Sequence, residues 1–159
     1  MTIKELRIKK GLTQIQASEL TGIPLRTYKN YENDPAKIDS IKYNYILSVL
    51  EKYGIIDETH GILSLDDITE IAQQVLQEFN VEYAILFGSY AKGTAVETSD
   101  VDLLISTDIS GIKFFGIAEK LRTALNKKVD LLDIKQLSNN QELLENILKE
   151  GIRIYVQNK

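Results

Sequence analysis

Leu86-Phe87-Gly88-Ser89-Tyr90-Ala91-Lys92-Gly93, six loop residues from Thr94 to Ser99, then Asp100-Val101-Asp102-Leu103-Leu104-Ile105: the fold turns on this stretch. Ahead of it, Val81-Glu82-Tyr83-Ala84-Ile85-Leu86-Phe87 is a mostly apolar run of strand length. Gly88-Ser89 breaks the strand, and Ser89 has the chemistry to cap a short helical turn over Tyr90-Ala91-Lys92. Backbone N–H groups left free at such a helix start attract anions, and glycine lets a phosphate approach closely. After Gly93 and a polar turn, Asp100 and Asp102 flank Val101 at the start of a second strand. Side chains alternate along a strand, so the two carboxylates share a face while Val101 points into the core.

Two carboxylates on one face repel each other unless a cation sits between them. Hard oxygen ligands at this spacing suit Mg²⁺ (or Mn²⁺), which takes one or two carboxylates and fills its shell from substrate phosphates. A phosphate cradle beside such a pair is the equipment of nucleotidyl transfer. The plain alternative is an N-capped turn followed by an exposed Asp-x-Asp at a strand edge. Gly88-Ser89, ten residues upstream and behind an apolar strand, favours the site.

The arrangement resembles the signature of the minimal nucleotidyltransferases of the DNA polymerase β-like superfamily. The resemblance covers roughly residues 64–156. It implies a third carboxylate on a later strand, and Lys128-Val129-Asp130-Leu131-Leu132-Asp133 places Asp130 there. The run Ile147-Leu148-Lys149-Glu150-Gly151-Ile152-Arg153-Ile154-Tyr155 resembles the family's closing helix and strand. On this reading Gly88 and Ser89 hold the phosphates of ATP, and Asp100, Asp102 and Asp130 are the metal-binding, catalytic carboxylates. Two metal ions ~3.5–4 Å apart stabilise the attacking and leaving oxygens of an in-line displacement. Lys92, and Lys127 or Lys128, offer cations to the phosphates, with solvated surface lysines as the alternative.

Composition limits the other possibilities. In 159 residues there is no cysteine, which excludes disulfides and thiolate metal sites, and the single histidine excludes a multi-histidine centre. No apolar run approaches a membrane span and the amino terminus lacks a signal-peptide pattern, so a cytoplasmic protein is expected. Charge divides the chain: residues 1–57 carry nine Lys/Arg and seven Asp/Glu, the remainder ten and sixteen. Two domains are expected, residues 1–57 and 64–159, joined by a linker at 58–63 in which His60 is solvated.

In the first domain Thr2 caps a short helix carrying Ile3, Leu6 and Ile8, ended by Gly11. Thr13 caps a second helix over residues 14–20, with Ala17 leaving room for a crossing neighbour. Thr21-Gly22 turns, Ile23 plugs the core, and Pro24 starts a third helix through Tyr31. Helix, glycine turn, helix is a helix-turn-helix pattern. Leu6-Arg7, Gly11-Leu12-Thr13-Gln14, Ala17, Leu20, Gly22-Ile23 and Tyr31-Glu32 resemble the Xre/Cro-type family over residues 3–56. That resemblance also implies that Arg7 meets Glu32 across the core edge. With Ile23, Tyr28 and Tyr31 inward, Arg26, Thr27, Lys29 and Asn30 face out toward base edges and phosphates, and Gln14 joins them. Operator DNA is the expected ligand; a helical docking domain is the alternative. A further helix over 40–53 presents Ile41, Tyr45, Ile46, Val49 and Leu50, as core or in part as a homodimer contact.

The second domain begins with Ser64 as a cap and a stripe of Ile68, Ile71, Ala72, Val75, Leu76 and Phe79. A helix over 111–126 offers Phe115, Ala118, Leu121 and Leu125, and a last one Leu143, Leu144, Ile147 and Leu148. The expected fold is an all-α helix-turn-helix bundle followed by an α/β nucleotidyltransferase domain. Stand-alone minimal nucleotidyltransferases are commonly antitoxins that move AMP from ATP onto a tyrosine of a HEPN-domain ribonuclease toxin. The resemblance therefore implies an antitoxin whose DNA-binding domain autoregulates its operon. The alternatives are a repressor whose transferase fold only docks a partner, and a small-molecule, antibiotic-type nucleotidyltransferase.

Overall fold

The computed structural model describes residues 1–158 and divides into two units, Met1–Ile55 and Ile56–Lys159. The residues read as a linker fall in the second. No helix among the described residues is long and apolar enough to cross a membrane.

The first unit holds α1 (Ile3–Lys9), α2 (Gln14–Thr21), α3 (Leu25–Asn33) and α4 (Ile41–Lys52), with a 3-10 turn at Pro35–Lys37. Thr2 and Thr13 close reciprocal caps with Glu5 and Gln16, satisfying backbone donors at each helix start. Gly22, at φ +69°, makes the left-handed turn between α2 and α3. Ile3, Leu6, Ala17, Ile23, Tyr28, Ile46 and Leu50 meet in one core.

The expected stripe on α4 is kept in part. Ile46 and Leu50 turn inward as expected, but Ile41 is 92% exposed and Tyr43 joins the core in place of Tyr45. Tyr43 belongs inside because its hydroxyl accepts the Ile3 N–H at 3.2 Å, while the half-exposed Tyr45 donates its hydroxyl to the Thr21 carbonyl. Ile8 also lies outside the core.

The second unit runs α5 (Leu65–Leu76), β1 (Val81–Phe87), α6 (Gly88–Lys92), β2 (Val101–Thr107), α7 (Ile112–Leu125), β3 (Val129–Asp133), a 3-10 turn (Ile134–Leu137), α8 (Gln141–Glu150) and β4 (Ile152–Val156). Four strands make one mixed sheet in the order β3-β2-β1-β4. β1 pairs antiparallel with β2 and β4, and β3 joins β2 parallel after the crossover through α7. On one face α5 and α7 pack Ile68, Ala72, Ile117 and Leu121 against Leu86, Val101, Leu103 and Ile105. On the other, α8 and the 3-10 turn bring Ile147 and Leu137 onto Leu104.

Two side chains depart from expectation. Phe115 is 69% exposed and Phe114 packs in its place, and Leu148 points outward beside the inward-facing Ile147. Gly151 is required by space rather than by dihedral angle. Its φ is an ordinary −70°, but a Cβ there would lie 2.4 Å from the Ile147 carbonyl oxygen and 2.5 Å from Ile85 Cγ2. The chain must pass close to β1 as it leaves α8.

Candidate active site

The alternation along β2 sorts its residues as a strand must. Val101, Leu103 and Ile105 enter the α5/α7 core, which leaves Asp102 and Leu104 on the opposite face. In register, Phe87 pairs with Asp102 and Asp102 with Asp130, so one row crosses β1, β2 and β3. Paired residues on neighbouring strands point to the same side, which puts the carboxylates of Asp102 and Asp130 on one face.

Gly88 follows Phe87 at the end of that row. A Cβ on it would stand 2.2 Å from Asp102 Oδ2, and its φ is +71°. The position needs glycine for both its turn and its clearance. The first turn of α6, beginning at Gly88, leaves backbone N–H groups without intrahelical partners. Ser89 lies within that turn rather than capping it: the cap position is Phe87, with no side-chain bond. The helix starts two residues earlier because Gly88 itself makes the bend.

Burial, then the charges of Asp130 and Asp100, raise the Asp102 pKa to about 6. A cation placed among the three would relieve that repulsion. No group of three or more His, Cys, Asp and Glu among the described residues is close enough to hold a metal ion unaided. The carboxylates fit an ion that takes one or two of them and completes its shell with substrate oxygens.

Lys92, at the far end of α6, forms a half-exposed ion pair with Glu150 at 3.3 Å. Lys127 overturns its surface reading. It is fully buried, and its ammonium donates to the carbonyls of Glu97 at 2.6 Å and His60 at 3.1 Å. Nothing in the sequence separates it from the exposed Lys128 next to it.

In the first unit, Arg26, Lys29 and Asn30 are exposed along α3 and Thr27 is half-buried, while Tyr28 is fully buried. Gln14 is drawn aside: its amide donates to Glu32 at 3.2 Å. Arg7 grips the same carboxylate through Nε at 2.9 Å and Nη2 at 2.8 Å, and gives Nη1 to the Leu12 carbonyl. The expected Arg7–Glu32 pair is therefore present, with Glu32's side chain wholly buried.

Residues 66–159 match the family described as polymerase beta, nucleotidyltransferase, and residues 3–54 match the helix-turn-helix family. The protein adenylyltransferase MntA of Thermococcus cleftensis is 30% identical over 100 residues, 59% of this chain and 99% of that protein. The protein adenylyltransferase MntA of Shewanella oneidensis is 33% identical over 72 residues, 44% of this chain and half of that one. A crystal structure of a toxin-antitoxin with AMP-PNP shares 26% identity over 60% of this chain and 76% of that chain, at a TM-score of 0.48.

Proposed function

The chain belongs to the polymerase β-type nucleotidyltransferases, and on that premise we propose that it transfers AMP from ATP to a hydroxyl of a partner protein, a tyrosine of a HEPN-type ribonuclease toxin. The observation that supports a working site is Gly88 seated against Asp102, with Asp130 in register beside it. A merely docking fold has no need of a left-handed glycine that clears a half-buried carboxylate.

Asp100 and Asp102 hold a divalent cation, with Asp130 joining them on the neighbouring strand. When bound, Mg²⁺ neutralises phosphate charge and polarises the bond that breaks. Free N–H groups of the first turn of α6 and the Ser89 hydroxyl donate to phosphate oxygens. Lys92 reaches phosphate only by leaving Glu150, an exchange that costs little for an exposed pair. Asp130 accepts the proton of the incoming hydroxyl. The acceptor oxygen then bonds the α-phosphorus, the α–β bridging bond breaks, and pyrophosphate departs. The first unit binds operator DNA through Arg26, Thr27, Lys29 and Asn30, repressing the operon that encodes both partners.

The test is transfer of α-phosphate label from ATP to the partner by the unaltered chain and by Asp100→Asn and Asp102→Asn. The parent should label the partner and both variants should not. Labelling by either variant at the parent's rate removes the aspartate pair from the chemistry.

A further inference from the structure

We propose that Lys127 is a positioning residue of this site, fixing the loop that delivers Asp100 to the row of Asp102 and Asp130; the proposal rests on the nucleotidyltransferase reading above. A buried ammonium is costly unless its donors are satisfied, and an apolar side chain of similar volume is often no worse for stability. Lys127 is fully buried, yet no carboxylate among the described residues pairs with it. Both of its acceptors are backbone carbonyls in irregular chain. What the charge does must therefore be sought in what it holds.

Glu97 lies in the loop between α6 and β2, three residues ahead of Asp100. Within the loop, Ser99 N–H donates to the Val96 carbonyl at 2.9 Å and Val96 N–H to Ser99 Oγ at 2.8 Å. That closes a small turn but anchors it to nothing. Lys127 anchors it from beneath, and the next residue continues the attachment, since Val101 N–H donates to the Lys128 carbonyl at 2.9 Å. Lys127 itself lies three residues ahead of Asp130. One side chain thus ties the approach to Asp130 to the approach to Asp100.

The second acceptor backs the loop from the other side. The His60 carbonyl also receives Asp57 N–H at 3.0 Å, and Gly61 N–H donates to the Glu97 carboxylate at 3.2 Å. Residues 57–61 are folded into a knot that the ammonium clamps onto the loop. Released, Asp100 loses its fixed place relative to the two carboxylates on the sheet, while the glycine cradle on β1 and α6 is untouched.

The test begins with Lys127→Met in the full chain, titrated with Mn²⁺ alone and followed by the electron paramagnetic resonance of the free ion. Affinity should fall by about tenfold or more, the range typical for residues that orient metal ligands. In partner labelling, kcat should fall with it, while KM for ATP at saturating metal stays nearly constant. A residue that served stability alone would shift the melt and leave Mn²⁺ affinity unchanged, and that result overturns the proposal.

Because the chain contains no cysteine, Lys127→Cys can be S-aminoethylated in the unfolded state and refolded, restoring an ammonium at that position only. Recovery of Mn²⁺ affinity is the expected result; failure to recover in a folded protein overturns it. Should Lys127→Met not fold, Lys127→Gln keeps a donor too short to span both carbonyls and is read in the same titration. If the unaltered chain binds Mn²⁺, the variant loses it, and neither labels any partner, the transferase reading falls and the positioning role stands.

Discussion

Asp102 carries a cost that the rest of the site explains. Its pKa, raised to about 6 by burial and by the charges of Asp130 and Asp100, means the folded chain holds a proton that the unfolded chain releases near pH 4. Stability should therefore decline as pH rises from about 4 to about 6 without metal, and added divalent cation should cancel the decline. Asp102→Asn should raise stability at neutral pH by ~1–2 kcal/mol, the shift discounted for partial exposure. Thermal melts against pH with and without Mg²⁺ measure both effects; a variant no more stable than its parent would mean Asp102 is not under strain. Gly88→Ala separates stability from chemistry at the same place. The left-handed backbone costs an alanine ~1–2 kcal/mol, and its Cβ meets the far end of the Asp102 side chain. That carboxylate can swing away, so the melt should fall only by the several degrees the backbone cost implies, while transfer falls about 10- to 100-fold. Near-parental transfer would show that the position of Asp102 does not matter.

Among the elements, α1 is tied to the end of α3 by the Arg7–Glu32 ion pair. Arg7 gives two bonds to Glu32 and one to the Leu12 carbonyl. Burial alone would raise the Glu32 pKa, but the bonds from Arg7 and Gln14 outweigh it and hold the group below the usual carboxylate value. Breaking the pair from one side strands a charge, so Arg7→Met and Glu32→Gln should each cost ~2–4 kcal/mol. The double variant should cost clearly less than their sum. Strict additivity in denaturant melts would contradict the contact. This pair was legible because Leu6-Arg7 and Tyr31-Glu32 carry a recognisable family spacing. On α4, Ile46 and Leu50 were legible but the choice of tyrosine was not, since Tyr43 and Tyr45 both fit helical periodicity and only the Tyr43 bond to the Ile3 N–H decides between them. Phe114 and Phe115 posed the same problem on α7.

For the whole molecule, the sheet and the face taken by Asp102 could be read from Gly88-Ser89 and Asp100-Val101-Asp102 because strand alternation leaves that carboxylate little choice, although Asp100 falls just ahead of the strand. The contact of Gly88 with Asp102 and the burial of Lys127 could not, because each joins segments far apart in sequence through the order in which strands pair. Two activities are proposed for one chain, and they separate cleanly. In gel shifts on the operon's own promoter, Arg26→Ala should weaken discrimination by ~1–3 kcal/mol. Total binding should fall as salt rises, and neither effect should change transfer. A salt-independent complex, or none at low salt, would make the first unit a docking module. The most direct measurement is mass spectrometry of the HEPN-type partner after incubation with ATP and Mg²⁺, using the parent chain and Asp102→Asn. The expected result is AMP on a partner tyrosine with the parent and none with the variant. An unmodified partner with the parent, or equal modification by both, would contradict it.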